Sequence, residues 1–114
     1  MVHLFIRKVS KFFISLFWDA LEHYEKAIEI NEKSERGHVG LARIFTAKGE
    51  YDKARKHYEA TLEVNKMDGE THLDFADLLW EELEDFHAAR EHYETAIALQ
   101  PDSYEARFNL ANLL

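Results

Sequence analysis

The chain has 114 residues, of which 46% are hydrophobic and 32% charged, and a net charge of −8. That length suits one domain, which buries roughly two-thirds of the surface its unfolded chain exposes. The acidic balance argues against a nucleic-acid partner, since a phosphate backbone needs a basic surface. The lack of cysteine removes disulfides, thiolate metal sites and cysteine nucleophiles together. One proline and four glycines leave little scope for a turn-rich β fold.

Residues 1–18 carry Arg7, Lys8 and Lys11 with no acid, while Val2, Phe5, Val9, Phe12, Phe13 and Leu16 form a broad apolar face. Three readings stay open for this basic amphipathic segment. It is a degenerate first helix packed on residues 19–31, a segment that lies on an anionic membrane, or a non-native start or fragment boundary. No apolar run reaches the roughly 18 residues needed to cross a bilayer.

From residue 19 onward the chain repeats itself, and periods of this length mark helical repeat architectures. Glu22-His23-Tyr24-Glu25, Lys56-His57-Tyr58-Glu59 and Glu91-His92-Tyr93-Glu94 align, with the tyrosines 34 and 35 residues apart. Upstream of each lie an aromatic and a small residue, Phe17 and Ala20, Tyr51 and Ala54, Phe86 and Ala89. A second set aligns as well: Leu41-Ala42-Arg43, Phe75-Ala76-Asp77 and Leu110-Ala111-Asn112. Apolar residues recur at helical spacing in both sets. Gly49 supplies the positive φ that ends a helix, and Asp102 or Ser103 supplies an N-cap after Pro101. The expected units are therefore helix–turn–helix hairpins over about 35–68 and 69–103, with a lone helix over 104–114. Ala42 against Ala54, and Ala76 against Ala89, let paired helices approach to about 8–10 Å.

A period near 34 with these small and aromatic residues resembles the tetratricopeptide repeat, over about residues 17 to 114. The resemblance implies an all-α, right-handed solenoid with residues 19–114 as its domain. The sequence departs from the family pattern in placing His38 and His72 where an aromatic is usual, Glu32 and Lys66 where Pro101 stands, and an extra residue near Asp85.

Chemistry-bearing residues are weighed against simpler roles. His23, His57 and His92 hold equivalent places in successive units, about 10 Å apart by helix packing, too far to share an ion. His38 and His72 are likewise equivalent to each other. His87 and Glu91 are one turn apart, but two ligands do not make a site. No metal or cofactor is expected. The run from Asp68 to Asp85 holds Asp68, Glu70, Asp74, Asp77, Glu81, Glu82, Glu84 and Asp85 without a Lys or Arg. It reads as a solvated helix face or as groove acids for a basic peptide. No phosphate loop, nucleophile elbow or second constellation accompanies it, so no enzyme is expected.

The resemblance implies that first helices line a concave groove for an extended peptide or a helix. Its lining would be Arg36, Val39, Gly40 and Arg43; then Glu70, Leu73, Asp74, Asp77, Trp80 and Glu81; then Glu105, Phe108, Asn109 and Asn112. Gly40 would leave a dent in the wall, and Trp80 would anchor the ligand or lie under the longer turn. Some relatives clamp the carboxylate tail of heat-shock chaperones. The matching positions here are Phe5, Val9, Gly40, Glu70 and Asp74, where two acids would repel a carboxylate.

The expected function is a scaffold binding a protein partner, with a basic strip beside an acidic one. The alternatives are an architectural subunit packed by its ends, for which Phe108 and Leu114 would be exposed, and a membrane-docked adaptor using residues 1–18. A cytoplasmic setting is the expected one, with an organelle or membrane surface left open.

Overall fold

The computed structural model describes residue 16 and residues 18–114. Expectations that rest on residues 1–15 and Phe17, including the amphipathic face and the clamp positions Phe5 and Val9, lie outside the described residues. Six helices follow one another without a strand among the described residues. The first, α1, is described over residues 18–30. Then come α2 (Glu35–Lys48), α3 (Tyr51–Val64), α4 (Gly69–Glu81), α5 (Phe86–Leu99) and α6 (Tyr104–Leu113). α2 packs on α3 and α4 on α5 as two hairpins, and α6 closes on α5. The result is an all-α right-handed solenoid.

Each helix start has a local cause. Ser34, Asp68, Asp85 and Ser103 are N-caps whose side chains accept from the backbone N–H three residues on, while Glu50 makes no such bond. Gly49 ends α2 at φ 81°, and its N–H returns to the Phe45 and Thr46 carbonyls. The second hairpin turn is longer, and there Glu84 takes the left-handed conformation at φ 54°.

Three turns between hairpins are tied by one repeated contact. Nε2 of His38 meets the Glu32 carbonyl at 2.8 Å, Nε2 of His72 meets the Lys66 carbonyl at 2.9 Å, and Nε of Arg107 donates to the Pro101 carbonyl at 2.9 Å. Each pair is six residues apart. The fourth residue of each first helix thus holds the turn before it.

The core runs along the stack. Ala42, Ala54, Ala76, Ala89 and Ala106 are completely buried, and Tyr58, Phe75, Leu79 and Tyr93 fill the space between hairpins. Where α2 meets α1, a Cβ on Gly37 would lie 2.8 Å from Ile28 and one on Gly40 would lie 2.5 Å from the Tyr24 ring. Gly40 therefore permits the close approach of α1 and α2. Expected as a dent in the groove wall, it is buried beneath Tyr24 instead.

Candidate functional site on the inner face

The first helices α2, α4 and α6 are linked side by side through polar side chains. Arg43 on α2 donates to Asp74 on α4 from Nε at 3.1 Å and from Nη2 at 2.8 Å. Its Nη2 also meets Glu70 at 3.2 Å. Asp77 accepts from Asn109 Nδ2 on α6 at 3.0 Å and from the Tyr93 hydroxyl on α5. One arginine and one aspartate, at equivalent places in successive repeats, therefore staple three repeats along a single face.

A cleft of about 240 Å³ opens beside these staples, lined by Arg43, Thr46, Tyr58, Asp74, Asp77, Leu78, Glu81 and Glu82. Its floor is apolar, from buried Leu78 and the Tyr58 ring, and its rim is acidic. Burial raises the Asp74 carboxyl above its ordinary value, and the bond to Arg43 offsets this only in part. Asp77 is raised too, first by burial and then by Glu81, Glu105 and Asp74, against the bond from Tyr93. The partnership holds Arg43 more firmly charged. Burial pushes the Tyr58 hydroxyl up to about 12, so it stays protonated at neutral pH. Tyr93 is raised as well, by burial and by its bond to Asp77.

Of the residues expected to line a groove, Arg43, Asp74, Asp77 and Glu81 border this cleft. Asn109 joins it through Asp77. Leu73 does not, since it is 7% exposed within the core. Val39 and Trp80 are half-buried against the core, and Trp80 meets the Tyr93 ring edge-on at 6.5 Å. Arg36 and Asn112 are exposed. Phe108 is 53% exposed and stacks on Tyr104, which is 79% exposed. Thr46, Tyr58 and Leu78 border the cleft although the sequence pattern does not point to them, and Glu82 of the acidic run borders it as well. Tyr58 was visible only as a packing residue of the repeat, and nothing in the pattern shows that its hydroxyl reaches the inner face.

Among the described residues no group of three or more His, Asp or Glu side chains converges as a metal site would require. His87 and Glu91 pair at 3.3 Å on the exposed face of α5.

Stacked two-helix hairpins with fully buried alanines at the helix crossings define a helical repeat protein. A model of the tetratricopeptide repeat matches residues 34–102, more than half of the chain, and the chain belongs to that family. In structure it is similar to the first TPR of Spaghetti (RPAP3) bound to the HSP90 peptide SRMEEVD. The TM-score is 0.81 at 17% identity, covering 94% of this chain and 85% of that one. It is also similar to the Arabidopsis OM64 TPR domain, with TM-score 0.79, 18% identity and coverage of 91% and 85%. A third similar structure is YrrB, a TPR protein with an unusual peptide-binding site. There the TM-score is 0.79 at 24% identity, with 96% of this chain and 55% of that one covered. At these identities the likeness is one of fold. No curated protein matches the sequence.

Proposed function

We propose that the chain is a protein-interaction scaffold that holds a peptide or helix on the inner face formed by α2, α4 and α6, and that the bound segment is basic. The observation that carries this reading is the cleft between α2 and α4, apolar at its floor and acidic at its rim. Long cationic side chains suit such a shape, because their aliphatic stems cover apolar surface while the charge stays at the edge. The raised carboxyls give a second reason. Asp74 and Asp77 are ionised at a cost in this setting, and a cation brought to the rim offsets it. Peptides bound by the similar RPAP3 domain and the peptide site of YrrB support the general role. The acidic SRMEEVD ligand of the former does not suit the acidic rim of this cleft.

Asp74 and Asp77 hold the stack together, so reversing their charge would test stability along with binding. Glu81 and Glu105 are exposed and flank Asp77 without a hydrogen bond to it. Glu81→Lys combined with Glu105→Lys is expected to weaken capture of a Lys/Arg-rich peptide by tenfold or more, with helicity by circular dichroism unchanged. Equal binding by variant and parent would remove the inner-face assignment.

A second reading, an architectural subunit packed by its ends, is favoured by the apolar surface on α6, where Tyr104, Phe108 and Leu114 are exposed. On that reading Phe108→Asp disrupts assembly, and a chain that stays monomeric at high concentration counts heavily against it. The membrane-docked reading rests on residues 1–18. No helix among the described residues is long and apolar enough to cross a membrane.

A further inference from the structure

Each hairpin contains a histidine pair that neither the repeat pattern nor the binding face requires. Nδ1 of His38 on α2 lies 2.9 Å from Nδ1 of His57 on α3, and Nδ1 of His72 on α4 lies 2.9 Å from Nδ1 of His92 on α5. The rings are 5.2 and 5.1 Å apart. Their protons follow from the surroundings. Nε2 of His38 faces the Glu32 carbonyl and Nε2 of His72 faces the Lys66 carbonyl. A carbonyl only accepts, so those nitrogens carry the hydrogen. A neutral imidazole has one N–H, which leaves Nδ1 of His38 and of His72 as bare acceptors. His57 and His92 must therefore donate from Nδ1.

We propose that the two histidine pairs are acid-sensitive latches, each fastening the first helix of a hairpin to the second and letting go when both of its rings are protonated.

The arrangement tolerates one added proton. When His38 is charged, its Nδ1–H can donate to His57, provided the His57 proton has moved to Nε2. A second proton leaves two N–H groups facing each other at 2.9 Å with like charge on both rings, and the pair must separate. His57 and His92 are the resistant members. Burial lowers both from their ordinary value, and the charge on the partner ring lowers them further.

Neighbouring charges differ between the two latches. Glu32, Lys33 and Glu63 line the cavity beside His38. Lys48 and Lys53 lie over Phe45, which stacks on His57. Around His92, Glu91 and Asp85 favour the proton and Arg55 opposes it, while Phe75 covers the ring at 4.7 Å. The sign follows from the lowered values. Below about pH 6.5 the unfolded chain binds these protons more readily than the fold does, so stability is complete above that pH and lost as pH falls. One excess proton per latch raises the unfolding constant by up to about tenfold per pH unit, and two latches by up to about a hundredfold. Asp74 and Asp77 act in the opposite sense, since protonation relieves them, but nearer the carboxylate range.

The test compares the full chain with His57→Asn combined with His92→Asn, which places a non-titrating amide N–H where each Nδ1–H stands. Chemical denaturation is followed at steps from pH 7.5 to pH 5.5. The parent's unfolding constant is expected to rise at least about tenfold over that interval and the variant's less than about threefold. Parallel pH profiles would overturn the proposal. Should the variant fail to fold, nitrogen NMR of the parent at pH 7.5 decides: Nδ1–H on His57 and His92 with Nε2–H on His38 and His72 upholds it. Nε2–H on His57 and His92 overturns it.

Discussion

The two complete hairpins carry opposite charges at the same repeat position, and each uses that charge in a different direction. Arg43 in the first reaches forward across the stack to Asp74 and Glu70. Asp77 in the second is held from behind by Tyr93 and from ahead by Asn109. Arg43 is half-exposed, and a pair of that kind contributes about 0–1 kcal/mol. The Tyr93 ring is completely buried, and its part-buried hydrogen bond to the charged Asp77 contributes more, about 1.5–3 kcal/mol. One fold position thus serves as a loose strap in the first hairpin and as a firm pin in the second. The acids near the pin are consequently part of the scaffold as well as part of the cleft rim proposed to meet a partner.

Removing hydroxyls breaks this comparison most directly. Tyr93→Phe strips Asp77 of a buried partner and is expected to cost about 1.5–3 kcal/mol in urea denaturation. Tyr58 occupies the same place one repeat earlier, yet among the described residues its hydroxyl hydrogen-bonds to no carboxylate. Tyr58→Phe is expected to cost less than about 0.5 kcal/mol. Similar losses for the two would mean that the hairpins are not distinguished by the Asp77 pin.

The hairpin turns give a smaller contrast. Gly49 and Glu84 both sit in the left-handed region, where only glycine is free of strain. Gly49→Ala is expected to destabilise by about 1 kcal/mol and Glu84→Gly to stabilise by up to about 1 kcal/mol. A thermal melt of each against the parent checks the signs, and a destabilised Glu84→Gly would show that the Glu84 side chain does more than bear strain.

The repeat was legible because buried small residues and interhairpin tyrosines recur at a fixed spacing, and Gly49 and Ser103 stand where the punctuation of the sequence puts them. Gly40 does not form a dent because the repeat frame fixes its place on a helix but not how far Tyr24 leans in from α1. Asp77 read as a free groove acid because the frame shows its neighbours on α4 and hides the Tyr93 hydroxyl that rises from α5. The histidine pairs escaped for a related reason. Comparing like positions sets His57 beside His92 and His38 beside His72, whereas the contacts join one member of each set inside a hairpin. Nothing in a column of equivalent residues reports such a crossing.

Docking of a partner on the inner face is open to direct observation. The direct measurement is chemical-shift mapping of the isotope-labelled full chain titrated with the tightest binder from a random peptide library. The tightest binder is expected to be a Lys/Arg-rich peptide whose shifts concentrate at Thr46, Glu81, Glu82 and Asn112. Shifts concentrated at Glu59 and Glu94 on the outer faces of α3 and α5, or an acidic peptide as the tightest binder, would contradict it.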